Sequence, residues 1–209
     1  MAISDLEKMF ATGYGESTDQ VRMAVKDGYK RLLQPSIETE FRNSSKEKAD
    51  LEAIRVFAEN LRQLLLSAPL GERRVLGIDP GFRTGCKVVV LDANGNLLRN
   101  TAIYPHEPQR QVFESQSTIE DLVEKFQIEA ISVGNGTAGR ETMDFLRKIK
   151  FQHPVEIFQV NEAGASIYSA SEVAREEFPK EDVTVRGAVS IGRRLMDPLA
   201  ELVKIDPKS

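Results

Sequence analysis

Arg74-Val75-Leu76-Gly77-Ile78-Asp79-Pro80-Gly81 is the stretch on which the fold turns. An apolar run of strand length ends on an acid, and Pro80-Gly81 behind it enforces a turn, because proline fixes φ and glycine admits either sign of it. Working outward, Gly85 to Asp92 reads as a second strand and Leu97 to Tyr104 as a third. Asn94-Gly95 between them is a hairpin turn, since both central positions of such a turn require positive φ. Ile119, Leu122, Val123 and Phe126 then recur at helical spacing. Glu129 to Gly134 is a fourth strand, leading through Asn135-Gly136-Thr137 into a helix from about Arg140 to Ile149. Val155 to Val160 is a fifth strand, and from about Ala163 the chain turns mostly helical, with breaks at Pro179 and Pro198.

Upstream of Pro69 the texture differs. Val21, Ala24, Val25, Tyr29, Leu32 and Leu33 mark one amphipathic helix, which Pro35 is expected to close. Leu51, Ile54, Phe57, Ala58, Leu61, Leu64 and Leu65 mark a second, with the polar stretch Arg42 to Lys48 between them. No strand signal precedes position 70, and these one-sided apolar faces call for a partner surface. The expected organisation is a helical segment over 1–70 belonging to a larger helical region, an α/β domain over 71–205, and the start of a truncated further element at 206–209.

Three antiparallel strands, helix, strand, helix, strand, helix is the succession of the RNase H-like fold. The fold class expected is therefore α/β, an RNase H-like mixed sheet flanked by helices and preceded by an all-α segment. The chain of 209 residues, 41% hydrophobic, can bury one sizeable core. No apolar run approaches the roughly 20 residues needed to cross a bilayer, and the N-terminus lacks the basic start and apolar stretch of a secretion signal. A lone cysteine, Cys86, excludes an internal disulfide framework and fits a reducing compartment, so a cytoplasmic protein with no membrane partner is expected. A net charge of −4 counts against strong autonomous nucleic-acid binding, because neutralised phosphates supply most of that affinity. It leaves room for a local basic strip.

The first-strand stretch Val75 to Gly85 resembles the opening of the YqgF domain of the Tex family of transcription accessory proteins. Gly134-Asn135-Gly136-Thr137, Asn161 to Ser171, Arg186 to Ile191 and Asp197 to Ser209 are similar to further motifs of that family. So are Asp27 to Leu33 and Phe57 to Leu61 in the helical part. The resemblance implies a nucleic-acid-binding domain acting in transcription or RNA metabolism. It implies RNA or DNA as partner, bound mainly through helix-hairpin-helix and OB-fold elements outside this chain, with the transcription machinery as a further partner.

Nucleases of the RNase H-like fold gather three or four carboxylates around divalent metals that activate water and stabilise the leaving oxygen. Asp79, which ends the first strand, and Glu162 and Asp197, which resemble the acids of related resolvases, are the candidate catalytic and metal-binding set, with Mg2+ or Mn2+ as the cofactor. Each also has a plainer reading: Asp79 as a turn residue, Glu162 as a helix-entry acid, and Asp197 as an N-cap ahead of Pro198. The fourth-strand exit at Gly134 to Thr137 carries no carboxylate, and Arg193 and Arg194 would flank Asp197 if the helix continued there. Both features point to a degenerate centre. For nucleic-acid contact the candidates are Arg83, Lys87, Asn135, Thr137, Arg140, Arg186, Arg193 and Arg194, with Tyr168 as a stacking residue. His106 and His153 stand apart from any ligand spacing.

Three functions follow from this reading. The first is a nucleic-acid-binding domain with a degenerate site. The alternatives are an active metal-dependent nuclease related to junction resolvases, and an actin-like ATPase or sugar-kinase fragment suggested by the Gly77 to Gly81 turn. The last would need a second such half, which the sequence does not supply.

Overall fold

The computed structural model describes residues 2–206 and 208. The chain divides into two compact units, with the divide between Leu61 and Arg62. In the first, α1 (Ala2–Phe10) and α2 (Glu16–Gly28) are followed by a π-helical turn (Tyr29–Leu33) and the long α3 (Gln34–Leu65). The expected stop at Pro35 does not occur. Helical residues precede Pro35 without a break, so its missing N–H is lost from the interior of a continuous helix. The wide preceding turn, closed by Gln34 N–H to Tyr29 O, absorbs the irregularity. The polar stretch Arg42 to Lys48 is accordingly helix, not linker.

In the second unit the elements are β1 (Val75–Asp79), β2 (Cys86–Leu91), β3 (Leu97–Ile103), α4 (Val112–Phe126), β4 (Ala130–Gly134), α5 (Gly139–Leu146), β5 (Glu156–Val160), α6 (Ala165–Ala170), α7 (Glu172–Glu177), α8 (Val183–Met196) and α9 (Pro198–Leu202). The sheet order is β3-β2-β1-β4-β5. β1 and β3 run antiparallel to β2, while β4 runs parallel to β1 and β5 parallel to β4. This is the RNase H-like mixed sheet.

Side chains alternate across the sheet with period two, so β1 serves both faces. Leu76 and Ile78 enter a core with Val88, Ile131, Val133 and the apolar sides of α4 and α5. Val75 belongs to the opposite core, with Val89, Leu91 and Val185, Ala188 and Val189 of α8. Gly77 shares that second face; a Cβ there would meet Ala188 O at 2.8 Å, so the glycine sets how closely α8 lies on the sheet. Ser132 Oγ donates to Ile191 O at 2.7 Å in the same buried layer. By the same alternation Asp79 faces α8, not the α4/α5 core.

Asp206 and Lys208 are described, whereas Pro207 and Ser209 of the expected further element lie outside the described residues. Among the described residues no helix is long and apolar enough to cross a membrane.

Candidate functional site

The parallel pairing brings the carboxyl ends of β1, β4 and β5 level: Ile78 pairs with Val133, and Gly134 with Val160. Asp79 therefore ends its strand beside the exit of β4, and Glu162 lies two residues past the end of β5. A Cβ at either Gly134 or Gly136 would fall inside the Glu162 carboxylate. The two glycines thus let the acid lean across the β4 exit towards β1. Asn135 Oδ1 accepts the Glu162 N–H at 3.1 Å and fixes the turn from which that side chain departs. Asp79 and Glu162 line one cavity of about 250 Å³, together with Ser166, Ser169, Thr184 and Gly187.

The electrostatics follow from that convergence. Burial, and after it the Glu162 carboxylate, push the Asp79 carboxyl up to about 6, against an opposing pull from Lys87. Lys87 is the cross-strand partner of Asp79, and its Nζ donates to Thr84 O at 3.0 Å. On the far wall α8 begins at Asp182, whose Oδ1 accepts from Thr184 N at 2.7 Å and Val185 N at 3.0 Å. Those bonds, led by the Thr184 hydroxyl, hold the Asp182 carboxyl below its ordinary value, with Lys87 adding to the effect. The Asp182 cap and the cavity hydroxyls were missed in the sequence. An acid directly before the apolar repeat of Val183 and Val185 was the available signal for the cap; nothing comparable marked the hydroxyls.

Asp197 is not brought to this cavity. Between Thr184, which lines it, and Asp197 runs nearly the whole of α8, about 20 Å at the ordinary rise. There Gly71 N–H donates to Met196 O at 3.1 Å, at the opposite end of β1. Asp197 caps α9, accepting from Ala200 N at 3.0 Å with Pro198 in the first helical position. Its backbone is extended, so α8 stops there and the expected helical pairing with Arg193 and Arg194 does not form. Arg193 instead donates to Gly95 O at 2.9 Å and pairs with Glu177 at 2.9 Å. Arg194 is buried and points inward.

Tyr168 is likewise corrected. It is 0% exposed, its hydroxyl donates to Glu177, and it cannot stack on a base. Of the other basic and polar candidates, Arg83, Asn135, Thr137 and Arg140 are exposed at the Asp79 end of the sheet. Arg186 is half-buried, its Nε donating to Phe178 O at 3.1 Å.

An RNase H-type metal centre needs three or four converging carboxylates. Two converge here. At the position facing Asp79 from α8 stands Gly187, where a Cβ would lie 3.3 Å from Asp79 Oδ2. Among the described residues no three His, Cys, Asp or Glu side chains cluster to hold a metal ion. The cavity thus brings together two of the three or more carboxylates that a two-metal centre uses.

Residues 73–196 match the model of the Tex protein YqgF-like domain, and the chain belongs to that family. Protein tex of Bordetella pertussis is 51% identical over 180 residues, which are 85% of this chain and 23% of that protein. YdcI of Bacillus subtilis is 51% identical over 207 residues, 98% of this chain and 29% of that protein. S1 RNA-binding domain-containing protein 1 of Homo sapiens is 41% identical over 191 residues, 88% and 19% respectively. The chain thus spans less than a third of the length of these relatives. Among solved structures, Thermus thermophilus RuvC superposes with a TM-score of 0.39 at 17% identity, covering 64% of this chain and 99% of that one.

Proposed function

We propose that this chain is a nucleic-acid-binding RNase H-like domain of a transcription accessory protein, working in the cytoplasm and binding RNA or DNA without cutting it. The observation that carries the second half is the cavity at the end of β1. It gathers Asp79 and Glu162 but presents Gly187 where a third carboxylate would complete a metal cage. Burial, and after it the neighbouring Glu162 carboxylate, raise the Asp79 carboxyl, so the pocket disfavours a second negative charge. The exposed donors Arg83, Asn135, Thr137 and Arg140 supply the contact surface, with Asn135 and Thr137 preceding α5, where free backbone N–H groups favour phosphate. The domain organisation read from the sequence, 1–70 helical and 71–205 RNase H-like, belongs to the same proposal, with most affinity residing outside the chain.

The test is incubation of the pure chain with single-stranded and structured DNA and RNA in Mg2+ or Mn2+, alongside a binding titration at two salt concentrations. Salt-sensitive binding without cleavage is expected. Cleavage that disappears in Asp79→Asn would overturn the reading in favour of a metal-dependent nuclease, the alternative that the Asp79–Glu162 pair itself favours.

A further inference from the structure

Arg194 was a candidate for nucleic-acid contact, and its burial excludes that. It is 4% exposed, on the last turn of α8. Its Nη1 donates to two backbone carbonyls, Asn161 O at 2.9 Å and Ala163 O at 2.6 Å. These are the residues on either side of Glu162. One planar guanidinium nitrogen therefore spans the β5–α6 turn from beneath, leaving the Glu162 side chain free to lean over Gly134 and Gly136. The turn has few other ties: Ala163 N–H bonds within it to Asn161 Oδ1 at 2.8 Å, and Glu162 N–H reaches Asn135.

The other side of Arg194 faces α9. Burial lowers its pKa, and the charges of Glu201 and then Glu162 oppose that shift. Glu201 is 2% exposed and pairs with Lys204 at 3.1 Å; Lys204 also reaches Glu177 at 2.8 Å. Among the described residues Arg194 Nε and Nη2 have no hydrogen-bond partner, and neither has Glu201 Oε1. A buried cation with two unbonded donors is expensive unless a nearby anion compensates it, and Glu201 is that anion. The attachment of α9 to the clamp is thus electrostatic and not a direct bond.

We propose that Arg194 is the positioning residue of Glu162, and that α9, through Glu201, sets how firmly Arg194 grips the β5–α6 turn. The inference rests on the reading of the Asp79–Glu162 cavity as the functional site. It makes the segment after α8 a part of that site, although none of its described residues lines the cavity.

Residue-resolved hydrogen exchange on the full chain, without nucleic acid, tests it. Arg194→Met fills much of the same space and removes the donor to both carbonyls. In that variant the Glu162 and Ala163 amides should exchange about tenfold faster or more, the scale of a lost charge-assisted bond, while β1 and β4 amides hold their protection. Glu201→Gln, close in shape, should speed the same two amides by a smaller factor. Unchanged exchange at 162 and 163, or a uniform rise across the sheet, would overturn the assignment. Should Arg194→Met fail to fold, Glu201→Gln decides by the same criterion. Because no nucleic acid enters the measurement, a negative result here is distinct from a failure of the binding reading.

Discussion

β1 buries four of its five residues completely; α3 buries none of its 32. Both are regular elements of one chain, yet different forces hold them. The strand owes its place to partners distant in sequence: β2, β4, α8 and two apolar cores. The helix is held by neighbours three and four residues away, such as Gln34 with Glu38 at 2.8 Å, Lys46 with Asp50, and Arg55 with Glu52 at 2.7 Å. Its apolar residues Phe41, Leu51, Ile54 and Phe57 are exposed. An element of the first kind can gather a site, because its ends are fixed by the whole domain. One of the second kind can only present a surface.

Mutation should make the contrast measurable. The largest effect is expected from Leu76→Ala, which empties space in a sealed core and should cost about 2–5 kcal/mol in chemical denaturation. Next comes Asp79. Its carboxyl titrates near 3.8 when unconstrained and at about 6 when folded. Between those values the folded state holds the extra proton, so its contribution is complete below pH 3.8 and is lost as pH rises through about 6. Asp79→Asn should stabilise the chain by about 1–3 kcal/mol at neutral pH and flatten the stability profile across that window. A stability curve that stays as steep in the variant would mean that groups other than Asp79 carry the pH dependence. Asp182→Ala removes the α8 cap and should cost about 1 kcal/mol in thermal melts. The smallest change is expected on α3: Ile54→Ala should shift stability by no more than about 0.5 kcal/mol, the range of an exposed site. A cost of several kcal/mol there would break the comparison, because it would mean that this face is covered in solution.

The same contrast explains what the sequence disclosed. Strands announced themselves through punctuation: Pro80-Gly81 after β1, Asn94-Gly95 in the hairpin, Gly134 and Gly136 around the β4 exit. Asp79 is legible as the acid that ends the first strand, whereas Glu162 and Asp197 enter through likeness to the acids of related resolvases; parallel pairing carries the first two to one edge of the sheet. Asp197 lies apart because that likeness fixes a place in the sequence order and not which end of α8 meets the acids. Pro35 misled because a π-helical turn just ahead of it lets the helix run through, and nothing in the sequence marks such a turn. Arg194 and Tyr168 looked like surface groups because arginine and tyrosine usually keep a polar tip in water; only the packing of α6, α8 and α9 reveals them as interior. Gly187 could not be interpreted at all, since its significance is the carboxylate it faces and not anything local.

The bare backbone at Gly136 has one more consequence. The atoms that a methyl group would strike there belong to the tip of a long, rotatable side chain, not to a strand or a helix. Alanine at that position is thus accommodated by swinging Glu162 outward. It would relocate an acid while leaving the charge of the protein untouched, and so tell apart where that carboxylate stands from the mere fact that it is there.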